Sequence, residues 1–327
     1  MSVKLRDVAR AAGVSTASAS RALSAPPLVS PSLRARILAA AERLGYVPNL
    51  AARSLATRRS GLVGVVAGSL DDPLTTGLVK VLDSELHRAG YGIILAFAGR
   101  SATETAGRIR RLVAQGLDGL VALDEAAVSP EAAEALGAHG VPWLVLEEAN
   151  GDRNRDTMGR GAGAVLAARY LLSVGHQRIG MLAAEHSGVA AALREALPET
   201  AATLLGAKPL ENRGHTYGLQ DALSALLNRP DSATAILCHS DSQAMAAVRE
   251  CHAQGVDVPK QVSIVGFGDT DLAKHTRPSL TTVRVAVNDI GARTVEALLA
   301  MLRGEAASVI EPAVKLVVRE STAVAPA

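Results

Sequence analysis

The chain has 327 residues, 48% of them apolar, and its 34 basic and 32 acidic side chains leave a formal charge of only +2. The longest apolar runs, such as Leu62 to Ala67 and Ile93 to Ala98, fall far short of the ~18 residues needed to span a bilayer, and the N-terminus lacks an apolar signal segment, so a cytoplasmic protein is expected. Cys238 and Cys251 are too few for a disulfide framework and lack a metal-site spacing, and an aromatic content of 2% leaves little to stack a ligand against.

The near-neutral total conceals a division. Residues 1 to 59 carry ten basic groups (Lys4, Arg6, Arg10, Arg21, Arg34, Arg36, Arg43, Arg53, Arg58 and Arg59) against two acids, Asp7 and Glu42, a local charge of +8. The other 268 residues hold 24 basic and 30 acidic groups, or −6. Such asymmetry points to a module for nucleic acid or a membrane surface attached to an ordinary body. At roughly 100–200 residues per domain, two or three domains are expected.

In chain order, Leu5, Val8, Ala9 and Ala12 recur at spacings of three and four, which predicts a helix stopped by Gly13. Ser15 suits the N-cap of a second helix through Leu23, because its hydroxyl accepts a free N–H of the first turn. A third helix opens at Ser30 with Pro31 at its first position, buries Leu33, Ile37, Ala40, Ala41 and Leu44, and ends at Gly45. Asn49 after Pro48 caps a short fourth helix, Leu50 to Ala56. Beyond Ser60 the texture changes to short apolar runs between helical stretches. Candidate strands are Leu62 to Val66, Gly92 to Ala96, Gly119 to Leu123, Trp143 to Leu146, Ile179 to Leu182, Ala235 to Cys238, Ser263 to Gly266 and Lys315 to Val318. Their starts often lie about 25 to 35 residues apart, the period of a βαβ unit, which predicts parallel sheets buried on both faces. The polar, Gly-rich stretch Gly151 to Gly163 reads as a connection between two α/β halves.

The segment LRDVARAAGVSTASASRAL, residues 5 to 23, combines a helix, a Gly-centred turn and a second helix with small polar residues in its first turn. Those are the requirements of a helix-turn-helix, whose second helix sits deep in the major groove only if its leading side chains are small. Arg21, one turn further on, suits a bidentate contact to guanine, worth ~1–3 kcal/mol of discrimination.

The run DVARAAGVSTASASRAL, followed by VSPSLRARILAAAERLGYVPNLAARSLATRRSGLVGVV, resembles the N-terminus of the lactose and galactose repressor (LacI/GalR) family. The resemblance continues through GHQRIG (Gly175 to Gly180), Ser240 with Asp241, VSIVGFGD (Val262 to Asp269), PSLTTV (Pro278 to Val283) and VVRES (Val317 to Ser321), nearly the whole chain. GFGD also resembles the gluconate-type regulators of the family. The resemblance implies an all-α helix-turn-helix head and an α/β body, a two-subdomain, type I periplasmic-binding-protein-like fold with parallel sheets. Residues 1–47 would form the DNA-binding domain, 48–59 the hinge helix and linker, and 60–327 the effector-binding and dimerisation domain. Within the last, an N-subdomain takes 60–157 and 288–313 and a C-subdomain 158–287 and 314–327.

By position in that family, Thr16, Ala17, Ser20 and Arg21 face the bases, Ala17 through apolar contact with a thymine methyl. Ser15, Ser30, Lys4 and Arg6 hold phosphates and so fix register without reading sequence. NLAARSLA matches the hinge helix, two copies of which enter the minor groove at the operator centre. Asn49, Ala52 and Leu55 carry that contact, Leu55 as a wedge between base steps. A helix of about eight residues is unstable alone in water, so the hinge is expected to fold only beside DNA or a partner hinge.

In the body, ligands bind beyond the carboxyl ends of parallel strands. That rule selects the loop containing Ser69, Asp71, Asp72 and Leu74, the stretch Glu185 to Arg194, the pair Ser240 and Asp241, and the loop from Gly268 and Asp269 to Asp271. Arg194 aligns with the family's effector-binding arginine, whose fork suits sugar hydroxyls or a carboxylate. Asp241 matches the acid of the family's Asn-Asp pair, with Ser240 in place of Asn; Asp241 equally suits the N-cap of a helix beginning at Gln243. Gly268 stands where sugar-binding members often carry an acid, Met158 takes the place of another near the subdomain junction, and the chain between Arg194 and Asp241 is a few residues short of the family norm. The loss of a carboxylate near Arg194 and the scarcity of aromatics favour a sugar acid such as an aldonate over a neutral hexose, while Asp71 and Asp72 oppose an anion.

An enzyme lacks its constellation here. No phosphate-binding G-x-x-x-x-G-K-[ST], G-x-S-x-G or H-E-x-x-H is present, and GRGAGA (Gly159 to Ala164) follows no predicted strand and lacks the third glycine of a dinucleotide loop. A sugar-binding transport protein would share the body's fold but not the +8 head. The reading is a homodimeric, effector-controlled transcriptional regulator, a repressor. Its expected partners are a pseudo-palindromic double-stranded DNA operator and a sugar or sugar-acid effector, with no cofactor, metal or membrane. The chain ends soon after VVRES, without the C-terminal helix by which some relatives form tetramers, so a dimer is expected.

Overall fold

Small and apolar residues three and four apart build three short helices, α1 (Leu5–Ala11), α2 (Thr16–Ser24) and α3 (Pro31–Leu44). A computed structural model describes residues 3–24, 29–47, 59–123, 128–146, 157–182, 188–197, 203–206, 218–307 and 313–326. The chain divides into two compact units, Met1–Gly61 and Leu62–Ala327. In the first, Val8, Ala9, Ala12, Ala19, Ala22, Ile37, Ala40 and Ala41 form the core. Six of these eight are alanine, so the helices approach closely and leave their other faces to solvent. Ser15 takes the capping role its position predicts, its Oγ accepting from the Ser18 N–H at 3.1 Å. The expected fourth helix, Leu50 to Ala56, lies outside the described residues.

The second unit contains two sheets, the first wholly parallel. The first joins β1 (Leu62–Ala67), β2 (Gly92–Phe97), β3 (Gly119–Ala122) and β4 (Trp143–Val145) in the order β2-β1-β3-β4. Its crossovers are α4 (Pro73–Arg88), α5 (Ala102–Ala114) and α6 (Pro130–Ala138). After α7 (Arg160–Ser173) the chain lays down β5 (Arg178–Leu182), α8 (Gly188–Ala196), β6 (Thr203–Gly206), α9 (Leu219–Leu227), β7 (Ala235–Cys238), α10 (Asp241–Ala253), β8 (Ser263–Gly268) and β9 (Thr281–Val285). It then returns to the first lobe as α11 (Val287–Leu302), packed on α4, and ends with β10 (Val314–Val317). The second sheet has the order β10-β9-β8-β7-β5-β6.

Three features depart from the expected pattern. β10 runs antiparallel to β9, so this sheet is mixed, with its one reversed strand at the edge. β6 is a four-residue edge strand too short for the pattern to single out. β9 reads as polar, yet Thr281 and Thr282 are fully buried because their hydroxyls find partners: Thr281 Oγ1 lies 2.9 Å from Thr322 Oγ1, and Thr282 Oγ1 donates to Asp241.

One apolar cluster runs from Val63, Leu74 and Leu78 in the first lobe through Met158 to Ala167, Ile179 and Phe267 in the second. Gly163, part of the GRGAGA run, is structural. A Cβ at Gly163 would stand 2.8 Å from Val283 Cγ1 and 2.9 Å from the Phe267 ring, so glycine lets α7 lie directly on the sheet. Among the described residues no helix is long and apolar enough to cross a membrane, and no group of three His, Cys, Asp or Glu side chains could hold a metal ion.

His176 of the GHQRIG motif is fully buried and pins the C-terminal segment to the second sheet. Its Nε2 donates to the Ala323 carbonyl at 3.1 Å, which leaves Nδ1 to accept from the Thr234 hydroxyl at 3.0 Å. Burial holds the ring below its ordinary pKa of 6.5, against the pull of the Ala323 bond. The neutral ring therefore stabilises the fold fully above pH 6.5, and that contribution falls with pH below this value, because the unfolded chain binds a proton that the folded one resists. Urea midpoints measured from pH 8 to pH 5.5 should decline for the wild type and decline less for His176→Gln; equal declines would remove His176 as the cause.

Candidate nucleic-acid interface and ligand site

The start of α2 presents small exposed side chains. Ala19 and Ala22 of α2 are fully buried, which turns Thr16, Ala17, Ser20 and Arg21 outward, and all four are exposed. The Arg21 Nε donates to the Ala17 carbonyl at 3.3 Å, so its guanidinium lies back along the helix face. Ser15 and Ser30 are exposed at the starts of α2 and α3, with Ser30 Oγ 3.5 Å from Ser32 Oγ. Lys4, the N-cap of α1, is exposed and donates its backbone N–H to Asp7 Oδ2 at 2.9 Å, and the exposed Arg6 Nε stands 3.9 Å from Asp7 Oδ1. Small exposed residues in the first turn of α2 and cations around it are what a groove lined by phosphates requires. Asn49, Ala52 and Leu55 lie outside the described residues.

In the body, strand order selects the crevice. The first sheet changes direction between β1 and β3, the second between β5 and β7, and open sheets bind ligands beyond the carboxyl ends at such switch points. The loop after β1 is internally bonded: Ser69 Oγ donates to Asp71 Oδ2 at 2.6 Å and accepts from the Asp71 N–H at 2.9 Å. Asp71 is exposed, whereas Asp72 is buried and caps α4, accepting from the Leu74 N–H at 3.3 Å.

At the end of β7, Ser240 rather than Asp241 is the helix cap, its Oγ accepting from the Gln243 N–H at 3.2 Å, and α10 begins at Asp241, two residues earlier than expected. Asp241, expected to reach a ligand, is fully buried and turned inward. Its Oδ1 accepts from Thr282 Oγ1 at 2.5 Å, and its Oδ2 accepts from the Thr270 N–H at 2.7 Å and Thr270 Oγ1 at 3.0 Å. Asp269 is likewise committed within the protein: Arg284 Nε bonds its Oδ2 at 2.6 Å and Arg319 Nη2 bonds its Oδ1. Arg319 also donates to the Leu280 carbonyl at 2.6 Å, which ties the C-terminal segment to this loop.

Gly268 has φ +130°, which side chains rarely adopt, and a Cβ there would lie 3.5 Å from Asp241 Oδ2 and 3.7 Å from Leu74 Cβ. The position of an expected acid is therefore a point where the two lobes touch, and Met158, at the other such position, is buried in the shared apolar cluster. Arg194 is exposed in the last turn of α8. Burial pushes both thiols up, that of Cys251 to about 11, so neither carries charge at neutral pH.

Thr270, Thr282, Arg284 and Arg319 shape this site without standing out in the sequence. The motifs PSLTTV and VVRES contain Thr282 and Arg319, and the loop after β8 contains Thr270, but nothing in the sequence assigned these side chains a role at the site. Thr282 lies 41 positions from Asp241, a pairing created by sheet order.

Residues 4–49 match the family described as bacterial regulatory proteins, lacI family, and residues 168–322 match the periplasmic binding protein-like domain. The HTH-type transcriptional regulator MalR of Streptomyces coelicolor is 34% identical over 100% of this chain and 98% of its own. The HTH-type transcriptional regulator GalR of Escherichia coli is 32% identical over 91% of this chain and 88% of its own. Among solved structures, the lac repressor dimer bound to operator and the anti-inducer ONPF superposes with a TM-score of 0.80 at 26% identity, covering 99% of this chain and 100% of that one.

The Asp241 node can be tested without ligand. Burial raises its pKa, opposed by bonds from Thr282 and Thr270. The raised folded value means that ionisation is a cost at neutral pH, relieved only as pH falls through it. Asp241→Asn keeps the shape, and the Thr282 hydroxyl can rotate to accept, so a change within ~1 kcal/mol is expected. Asp241→Ala strands Thr270 and Thr282 donors and should cost ~1–3 kcal/mol in chemical denaturation. Equal losses for the two variants would contradict this account of the node.

Proposed function

This chain belongs to the lacI family of bacterial regulatory proteins, and from that membership we infer that it is a homodimeric, sequence-specific transcriptional repressor of the cytoplasm. It is not an enzyme. Its hold on a pseudo-palindromic operator is set by a small sugar acid or sugar between the lobes of the body. The observation that carries the reading is the outward row Thr16, Ala17, Ser20 and Arg21 on α2, backed by fully buried alanines in an N-terminal segment, residues 1–59, of charge +8.

Thr16, Ala17, Ser20 and Arg21 read base edges, and Lys4, Arg6, Ser15 and Ser30 hold phosphates. Asn49, Ala52 and Leu55 form the hinge contact in the minor groove. Two-fold symmetry places the reading heads roughly one DNA turn, ~34–36 Å, apart. Effector binding at Ser69 to Leu74, Arg194, Ser240 and Gly268 alters lobe placement and shifts operator affinity by a coupling of ~1–3 kcal/mol. An anion is favoured because the Asp241 and Asp269 carboxylates are spent on protein donors, which leaves the crevice less negative than the sequence alone suggests.

Operator selection by the purified protein, repeated with sugars and sugar acids, is the direct test. With six to ten phosphate contacts, affinity for the selected operator should fall by about 10³–10⁵ between 50 and 200 mM salt, while effector binding barely changes. A flat salt response would defeat the DNA-binding reading. Leu55→Ala should weaken operator binding far more than nonspecific DNA binding in a filter or anisotropy assay. Equal losses on both DNAs would rule out the wedge.

A further inference from the structure

The second lobe contains a partly open recess at the carboxyl ends of β5, β7 and β8, with a volume of about 30 Å³. That is room for about two water-sized centres, the footprint of the two oxygens of a carboxylate. Its wall is largely apolar, including Ala167, Met181, Leu237 and Val265. The charged exception is Arg160, the first residue of α7, which is only 8% exposed. Its guanidinium carbon lies 4.9 Å from the centroid of the Phe267 ring, and Nη1 donates to the His239 carbonyl at 2.6 Å.

Stacked on one face and tied by one edge, the guanidinium has a fixed orientation in an apolar wall. In such surroundings a charge-assisted bond to an anion is stronger than at an exposed surface. The carboxylates that follow β7 and β8, those of Asp241 and Asp269, do not line the recess and bond to Thr270, Thr282, Arg284 and Arg319 instead. Cys238, also in the wall, has its thiol kept protonated by burial. One residue beyond Phe267, Gly268 meets Leu74 of the other lobe, so the recess adjoins the lobe junction.

We propose that this recess seats the carboxylate of the effector, with Arg160 as its receptor and the hydroxylated remainder of the ligand extending towards the lobe junction. The inference rests on the sugar-acid reading above and adds to it the receptor residue and the place where the acid group enters.

The test is calorimetry on the full-length dimer with D-gluconate, D-galactonate and D-glucuronate, against D-glucose and D-galactose. At least one acid should bind the wild type. Arg160→Gln should weaken that acid by about ten- to hundredfold, the usual effect of losing a charged hydrogen-bonding partner. Arg160→Lys should fall between, because it keeps the charge and loses the fork. A second readout needs no substitution: the bound acid should slow alkylation of Cys238 several-fold in the wild type and leave Cys251, which does not line the recess, unchanged. Wild-type affinity in a folded Arg160→Gln protein, or saturating acid that leaves the Cys238 rate unaltered, overturns the Arg160 assignment and spares the sugar-acid reading. If no acid binds the wild type, both fail together, whatever the neutral sugars do.

Discussion

The carboxylate of Asp241 joins pieces of chain that are distant in sequence. It stands at the start of α10, takes two bonds from Thr270 in the loop after β8, and takes a third from Thr282 in β9. A buried acid costs free energy unless its lone pairs are filled, and here three donors fill them. The strand beside it gives way: a Cβ at Gly266 would come within 2.4 Å of Asp241 Oδ1. Removing the node would release the loop that carries Gly268 and Asp269, and with it the surface the second lobe turns towards the first.

The same loop is held from its other side by Asp269, whose two oxygens take arginines from β9 and from the C-terminal segment. His176 fastens that segment once more at Ala323. The edge of the second sheet is thus closed by ion pairs and polar bonds, whereas the junction between lobes is apolar, built from Leu74, Met158 and the bare backbone of Gly268. Polar bonds fix geometry within the second lobe, whereas the contact between lobes is non-directional apolar packing.

The charge division has a corresponding logic. Ten basic groups in the head and hinge supply attraction to phosphate, and a body of charge −6 does not compete for it. Alanine at most core positions of the head keeps its helices thin and close, which leaves the polar face of α2 prominent enough for a groove.

Much of this was legible in the sequence. The head followed from Leu5, Val8 and Ala12 at helical spacing, from the Ser15 cap and from Gly13 and Gly45, because helices and caps depend on neighbours a few residues away. Seven strands of the second unit announced themselves as near-continuous apolar runs, and Ser263 to Gly266 did so despite its serine. β9 did not, because buried threonines look polar until their partners are known, and no local pattern reveals that Thr282 will meet Asp241. For the same reason Asp241 and Asp269 read as ligand contacts, whereas packing turned them onto Thr270, Arg284 and Arg319. Sequence by itself determined the division into a basic reading head and an α/β body, since charge and periodicity are local properties. Only tertiary structure decided which carboxylates remain at the crevice and that Arg160 is buried beside it, because sheet order brings together groups separated by tens of residues.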